Sequence, residues 1–249
     1  MYNKYFTVEK KLTIAASIQN AEAFASGEVM VDWTALEIPK GASCLRSATV
    51  LVRPKGDATP TNNVFAFDLV FSKTNTVSLG TPGAAVTHRP SGDFIGVLEV
   101  SADNFASAAL QGTAVATLGT DIEAGSPPLV LQGDPTTGDN VGYDTIYVGM
   151  IARGNFTFES INTVNETGFG VGAQTVITMD DASAGTTMDC REHFAAGDVL
   201  HAQDDAVLGT LSSAAAQAIT LTAANTAAIA DNDVIFNINP VKIILGLEK

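Results

Sequence analysis

From Phe194 onward, short apolar segments follow one another at intervals too brief for helices. They are Asp198-Val-Leu-His-Ala202, Ala206-Val-Leu-Gly-Thr-Leu211, Ala218-Ile-Thr-Leu-Thr222, Asp233-Val-Ile-Phe236 and Val241-Lys-Ile-Ile-Leu-Gly-Leu247. Gly197-Asp198, Asp204-Asp205 and Asp231-Asn-Asp233 part them. Gly, Asp and Asn between β-branched and leucine-rich runs are the punctuation of hairpins, because they accept the backbone angles of tight turns. A chain written this way buries its apolar residues across sheets. The last segment is apolar on both faces and cannot be left at an open edge, where unpaired backbone invites association. It closes a small barrel of its own, pairs with a neighbouring subunit, or pairs with the first domain.

The upstream half reads the same way. Along Leu45 to Pro54, Ala48, Val50 and Val52 face one way and Thr49, Leu51 and Arg53 the other, a half-buried strand. Val64 to Phe71 places Phe65, Phe67, Leu69 and Phe71 on one face, and a stripe of large side chains at period two belongs in a core. Thr145 to Ile151 is apolar on both faces and predicts a central strand. Further strands are expected at Val29 to Trp33, Phe94 to Val100, Thr113 to Leu118, Pro128 to Leu131 and Asn155 to Phe158. Trp33 is expected at a core edge. Weak helical patterns occur at Ser101 to Leu110 and Ala223 to Ala230. The fold class is therefore all-β. The expected division is an N-terminal arm (1–20), a β-sandwich or jelly-roll-like domain (21–160), a linker (161–171) and a small β-barrel-like module (172–249).

Composition excludes several classes of partner. A formal net charge of −14 disfavours nucleic acid, whose phosphates need clustered Lys and Arg. Apolar runs fall well short of the 18 or more residues of a membrane span, so no membrane is expected. The charge is uneven. The first 55 residues hold seven of the thirteen basic residues, whereas residues 90–240 set nineteen acids against Arg153 and Arg191. Cys44 and Cys190 lie far apart and are expected to be reduced, since two cysteines make no disulfide framework. The N-terminal segment lacks a signal pattern, which predicts synthesis in a cytoplasm and exit by lysis or within an assembly.

Phe67-Asp-Leu-Val-Phe-Ser72, Val77-Ser-Leu-Gly-Thr81, Phe94-Ile-Gly-Val-Leu-Glu-Val-Ser101 and Thr145-Ile-Tyr-Val-Gly-Met-Ile-Ala-Arg-Gly154 together resemble, in order, a group of tailed-phage virion structural proteins. The C-terminal Gly197-Asp-Val, Leu208-Gly-Thr-Leu, Ile219-Thr-Leu and Ala230-Asp-Asn-Asp are similar to small β modules appended to structural proteins of marine phages. The resemblance implies a non-enzymatic capsid decoration (cement) protein. It would dock on the major capsid protein as a homo-oligomer, with a trimer expected, and sit on the virion surface. A tail, baseplate or fibre component and a virion carbohydrate-binding module are the alternatives. The basic start of the chain nominates Lys4, Lys10, Lys11, Arg46 and Arg53 for docking.

No constellation argues for chemistry. Cys190-Arg-Glu-His193 with Asp198 and His201 lacks the paired spacing of a zinc site. Asp134/Asp139, Asp180/Asp181 and Asp204/Asp205 lack the spacing of a calcium loop and read as turn acids. Gly168-Phe-Gly-Val-Gly172 lacks the full dinucleotide fingerprint. Neither a metal nor a cofactor is expected.

Overall fold

The computed structural model describes residues 4–21, 23–53, 64–88, 92–106, 113–119, 129–134, 143–158, 164–165, 168–180 and 189–249. Before residue 160 the strands are β1 (Tyr5–Leu12), β2 (Ala23–Phe24), β3 (Val29–Glu37), β4 (Ser43–Val52), β5 (Phe67–Ser72), β6 (Phe94–Val100), β7 (Ala114–Gly119), β8 (Val130–Leu131), β9 (Thr145–Ala152) and β10 (Phe156–Thr157). After it come β11 (Val176–Thr178), β12 (Val199–Ala202), β13 (Val207–Ala215), β14 (Ala218–Leu221), β15 (Ile235–Asn237) and β16 (Val241–Glu248). Two short helices, α1 (Ala16–Ala21) and α2 (Cys190–His193), and a 3-10 turn at Ala102–Asn104 complete the described elements. The protein is all-β.

Two antiparallel sheets form the body. One runs β1-β16-β4-β7, with β8 also pairing with β4, and the other runs β3-β9-β5-β6. Count the long body strands in chain order as β1, β3, β4, β5, β6, β7, β9 and β16. The first sheet then reads 1-8-3-6 and the second 2-7-4-5. Inner-facing residues of both sheets share one core. Leu45, Ala48, Val50 and Val52 contribute from one side, and Phe67, Leu69, Phe71, Ile146, Val148 and Met150 from the other. The aromatic stripe is buried as its spacing required. Phe65, just ahead of β5, stacks on Phe156 with ring centroids 3.8 Å apart. Trp33 packs against a smaller cluster of Val29, Val70 and Leu79 on the outer side of the second sheet, and its indole N–H donates to the Val77 carbonyl at 2.8 Å.

Three expected boundaries are corrected. The first 20 residues are not an arm: β1 pairs along its whole length with β16, and Leu12, Ile14 and Ala16 are buried. The alternation of β1 is obscured because Lys10 stands among the inner-face positions of Val8 and Leu12. A charge placed inward on an edge strand discourages further pairing. Secondly, the terminal segment leaves the small module. β16 lies between β1 and β4 and turns Val241, Ile243, Leu245 and Leu247, each 0% exposed, into the body core. Flanking strands on both sides pair both of its backbone edges, which so apolar a strand cannot leave open. Thirdly, the expected linker contains module structure. Val164 is buried and bridged to Met179, and Phe169 is bridged to Ile229; residues 161–163, 166 and 167 lie outside the described set.

The second module thus occupies residues 164–239, an insertion between β10 and β16. Its sheet runs β11-β14-β13-β12-β15 over a separate core that includes Val164, Ile177, Leu200, Leu208, Leu211, Ile219 and Ile235. Two carboxylates tie it to the body. Asp198, buried in the module, accepts from Arg53 Nη2 at 2.8 Å and from the Ala195 amide at 2.8 Å. Asp205 accepts from the Ser17 amide at 2.9 Å and from the Ser17 hydroxyl, so it caps α1 from outside that helix's own chain segment. Gln19 adds a buried amide bridge, donating to the carbonyls of Ile14 at 2.8 Å and Asn237 at 3.0 Å.

This junction is expected to be acid-sensitive. Burial alone would push the Asp205 carboxyl up, but the hydrogen bonds from Ser17 outweigh it and hold it below the ordinary range. A carboxyl with a lower pKa in the folded state contributes stability above its unfolded value of about 3.9. That contribution is lost as the pH falls through the folded value. Melting temperature followed from pH 5 downward should therefore drop less steeply in Asp205→Asn than in the wild type. Parallel curves would remove Asp205 from the junction.

Candidate docking face

The β1-β16-β4-β7 sheet is where the basic residues gather, most of them on its outer face. Seven of the thirteen (Lys4, Lys10, Lys11, Arg46, Arg53, Lys242 and Lys249) lie on β1, β4 or β16 or one residue beyond them. Only Glu9 and Glu248 are acidic on those strands. The module, by contrast, carries ten acids against Arg191 alone between residues 164 and 239. The molecule is electrostatically two-ended.

All five residues nominated from sequence fall on this one sheet, but not in one role. Lys4, Lys11 and Arg46 are exposed. Lys10 is half-buried at an inner-face register position opposite Ile243. Arg53 turns toward the module to meet Asp198. Arg46 pairs with Glu248, whose carboxylate also accepts from the Tyr5 hydroxyl at 3.3 Å. Sequence reasoning missed Lys242 and Lys249. Both sit in the apolar terminal segment, more than two hundred residues from β1 along the chain, and only the β1–β16 register brings them together.

Two concavities mark the face. At one end a groove of about 310 Å³ is lined by Tyr5, Phe6, Thr7, Arg46, Ser47 and Gly246. Tyr5 is 71% exposed there and Phe6 36%. Gly246 keeps this groove open, since a Cβ at that position would run into the Ser47 hydroxyl. At the other end a groove of about 220 Å³ lies between Lys11, Leu51, Arg53, Thr113, Pro240 and Lys242. Six residues of extended strand separate the two ends, about 20 Å at the rise of a β-strand.

The other constellations resolve into structural contacts. Cys190 opens α2 and is buried, and burial, helped by Asp189, pushes its thiol up to about 12, far from a reactive thiolate. Asp189 caps α2 through the Arg191 amide and holds the Arg191 guanidinium at 2.8 Å. His193 is buried next to Phe194, and His201 Nδ1 donates to the Asp205 carbonyl at 2.8 Å. Asp204 accepts from the Ala206 amide as a turn acid. Asp139 and Asp181 lie outside the described residues. Gly168 to Gly172 forms a loop anchored by the Phe169–Ile229 bridge and leads to a strand. Among the described residues no three His, Cys, Asp or Glu side chains converge to hold a metal, and no helix is long and apolar enough to cross a membrane.

No family model matches this chain, and no curated protein does.

Proposed function

We propose that the protein is a non-enzymatic structural component of a tailed-phage virion, docked on the outside of the capsid as a decoration (cement) protein. The observation that carries this reading is the strand order 1-8-3-6 facing 2-7-4-5. That order is the double Greek key of a jelly roll, an architecture used by viral capsid and lectin domains. The sequence resemblance to phage structural proteins points the same way. The major capsid protein is the proposed partner, and contact is through the Tyr5–Arg46 groove. Exposed Tyr and Arg beside Phe are the side chains that dominate interface hot spots, because they bury large area with little loss of freedom. Lys4 adds a positive rim. A standard interface of about 1,600 Å² would suffice when repeated over a shell.

Jelly rolls also serve as lectins, but the one tryptophan is not available as a sugar platform. Trp33 is half-buried against Val29, Val70 and Leu79, edge-on to His88, and hydrogen-bonded to Val77. Decoration is therefore favoured over carbohydrate binding.

Quantitative mass spectrometry of purified virions tests the reading. Hundreds of copies per particle are expected; tens would place the protein in a tail or fibre, and none would end the proposal. Adding Tyr5→Ala/Phe6→Ala protein back to shells stripped of the wild type should give less than a tenth of wild-type occupancy. Equal occupancy would move docking to another surface.

A further inference from the structure

We propose that the groove at the Lys11–Lys242 end is an interface with a second copy of this chain, and that it receives the acidic turns of that copy's module. The starting point is an unfavourable pair. Lys11 and Lys242 stand directly opposite each other on β1 and β16, on the outer face. Like charges in directly opposed cross-strand positions destabilise a sheet. The compensation within one copy is incomplete. Glu9, diagonally placed, pairs with Lys242 at 2.6 Å, and the charge of Arg53 is taken by Asp198. No acid pairs with the Lys11 ammonium among the described residues. Between the two lysines the surface is concave, with Leu51 and Pro240 as its apolar wall. Such a groove suits a turn that brings carboxylates on a small apolar footing.

The chain itself supplies that turn. Asp204 and Asp231 are exposed at two turns of the module, and a Gln203–Asp233 hydrogen bond of 3.4 Å holds those turns side by side. Asp205 holds Ser17, Asp233 accepts from the Ala230 amide at 2.7 Å and Asp204 from the Ala206 amide at 3.1 Å, which fixes the turns with Asp204 and Asp231 exposed at their tips. The same anchoring to Ser17 keeps them out of the groove of their own copy, whose lining contains neither. Contact must then be between copies. Copies of net charge −14 repel at long range, but at physiological salt the screening length is about 8 Å and only facing patches count. The basic sheet face and the acidic module carry opposite charge. The inference does not depend on the capsid reading, which uses the other groove.

The experiment is sedimentation velocity on the full chain at about 0.1 M and about 1 M NaCl, with two charge-reversal variants. Lys11→Glu/Lys242→Glu alters the groove, and Asp204→Lys/Asp231→Lys alters the turns. The wild type should be oligomeric at the lower salt and shift to monomer at the higher, the oligomer's mass giving the copy number. Each variant should stay monomeric at both salts while keeping the wild-type melting profile. An equimolar mixture of the two variants should recover the oligomer, since each then offers what the other lacks. A monomeric wild type, an oligomer indifferent to either reversal, or a mixture that stays monomeric would each overturn the proposal.

Discussion

A chain ended at Asn239 is expected to lose the cooperative unfolding of the body altogether. β16 is removed by that cut, and with it four fully buried aliphatic side chains, Val241, Ile243, Leu245 and Leu247. Burying each contributes about 1.5–3 kcal/mol, so the loss is about 6–12 kcal/mol, comparable with the whole net stability of a domain. The backbone cost adds to it, because β1 and β4 both lose their ladder partner along eight residues. A fragment spanning 164–239 should behave in the opposite way, since its sheet and core are its own. Circular dichroism and urea titration of both pieces give the comparison. A truncated chain that still unfolds in one sharp transition at the wild-type midpoint would mean that β16 is dispensable to the sheet.

Phe67→Ala is expected to destabilise the body by about 3–5 kcal/mol, the range for deleting a buried aromatic ring. Phe67 is fully buried, on β5 between β9 and β6, and its ring packs against Phe65 with centroids 5.0 Å apart. The cavity cannot refill easily, because neighbours on both sheets are held by their own ladders. A fall in the urea midpoint at unchanged slope is the expected readout. An unaltered midpoint would place the stripe against solvent or a partner.

Strands with clean alternation were legible in the amino-acid sequence: β4, β5 and β9 fall where period two and apolar content put them. Elements fixed by tertiary contact were not. The helix α1 spans only six residues and owes its first-turn hydrogen bonding to Asp205, nearly 190 residues away. The alanine-rich stretch Ala223 to Ala230 has helical composition yet forms no helix. Asn225, buried there, spends its side chain on the Gln174 amide and on the carbonyls of Gly170 and Ala227, which hold the backbone as a loop. At Ser101 to Leu110 the described part is a 3-10 turn closed by a reciprocal Ser101–Asn104 capping box. The candidate docking face was half legible. Its N-terminal cations could be counted from composition, but their assembly with Lys242 and Lys249 follows from a register that no local pattern encodes. The separation of Arg53 from that role needed Asp198 to be seen beside it.

The pairing of β1 with β16 also sets an order of events at the ribosome. β1 ends at residue 12 and β16 begins at residue 241, so at about 5–20 residues per second the first strand waits roughly 10–50 s for its partner to be synthesised. Throughout that interval β1 and β4 are two edges with an empty slot between them. The inserted module has a shorter wait: its contacts span residues 164–239, about 75 residues or roughly 4–15 s of synthesis. The nascent chain therefore carries β1 and β4 unzipped through the whole synthesis of the acidic module. Closure of the body comes last, when β16 has been made and enters the slot between them.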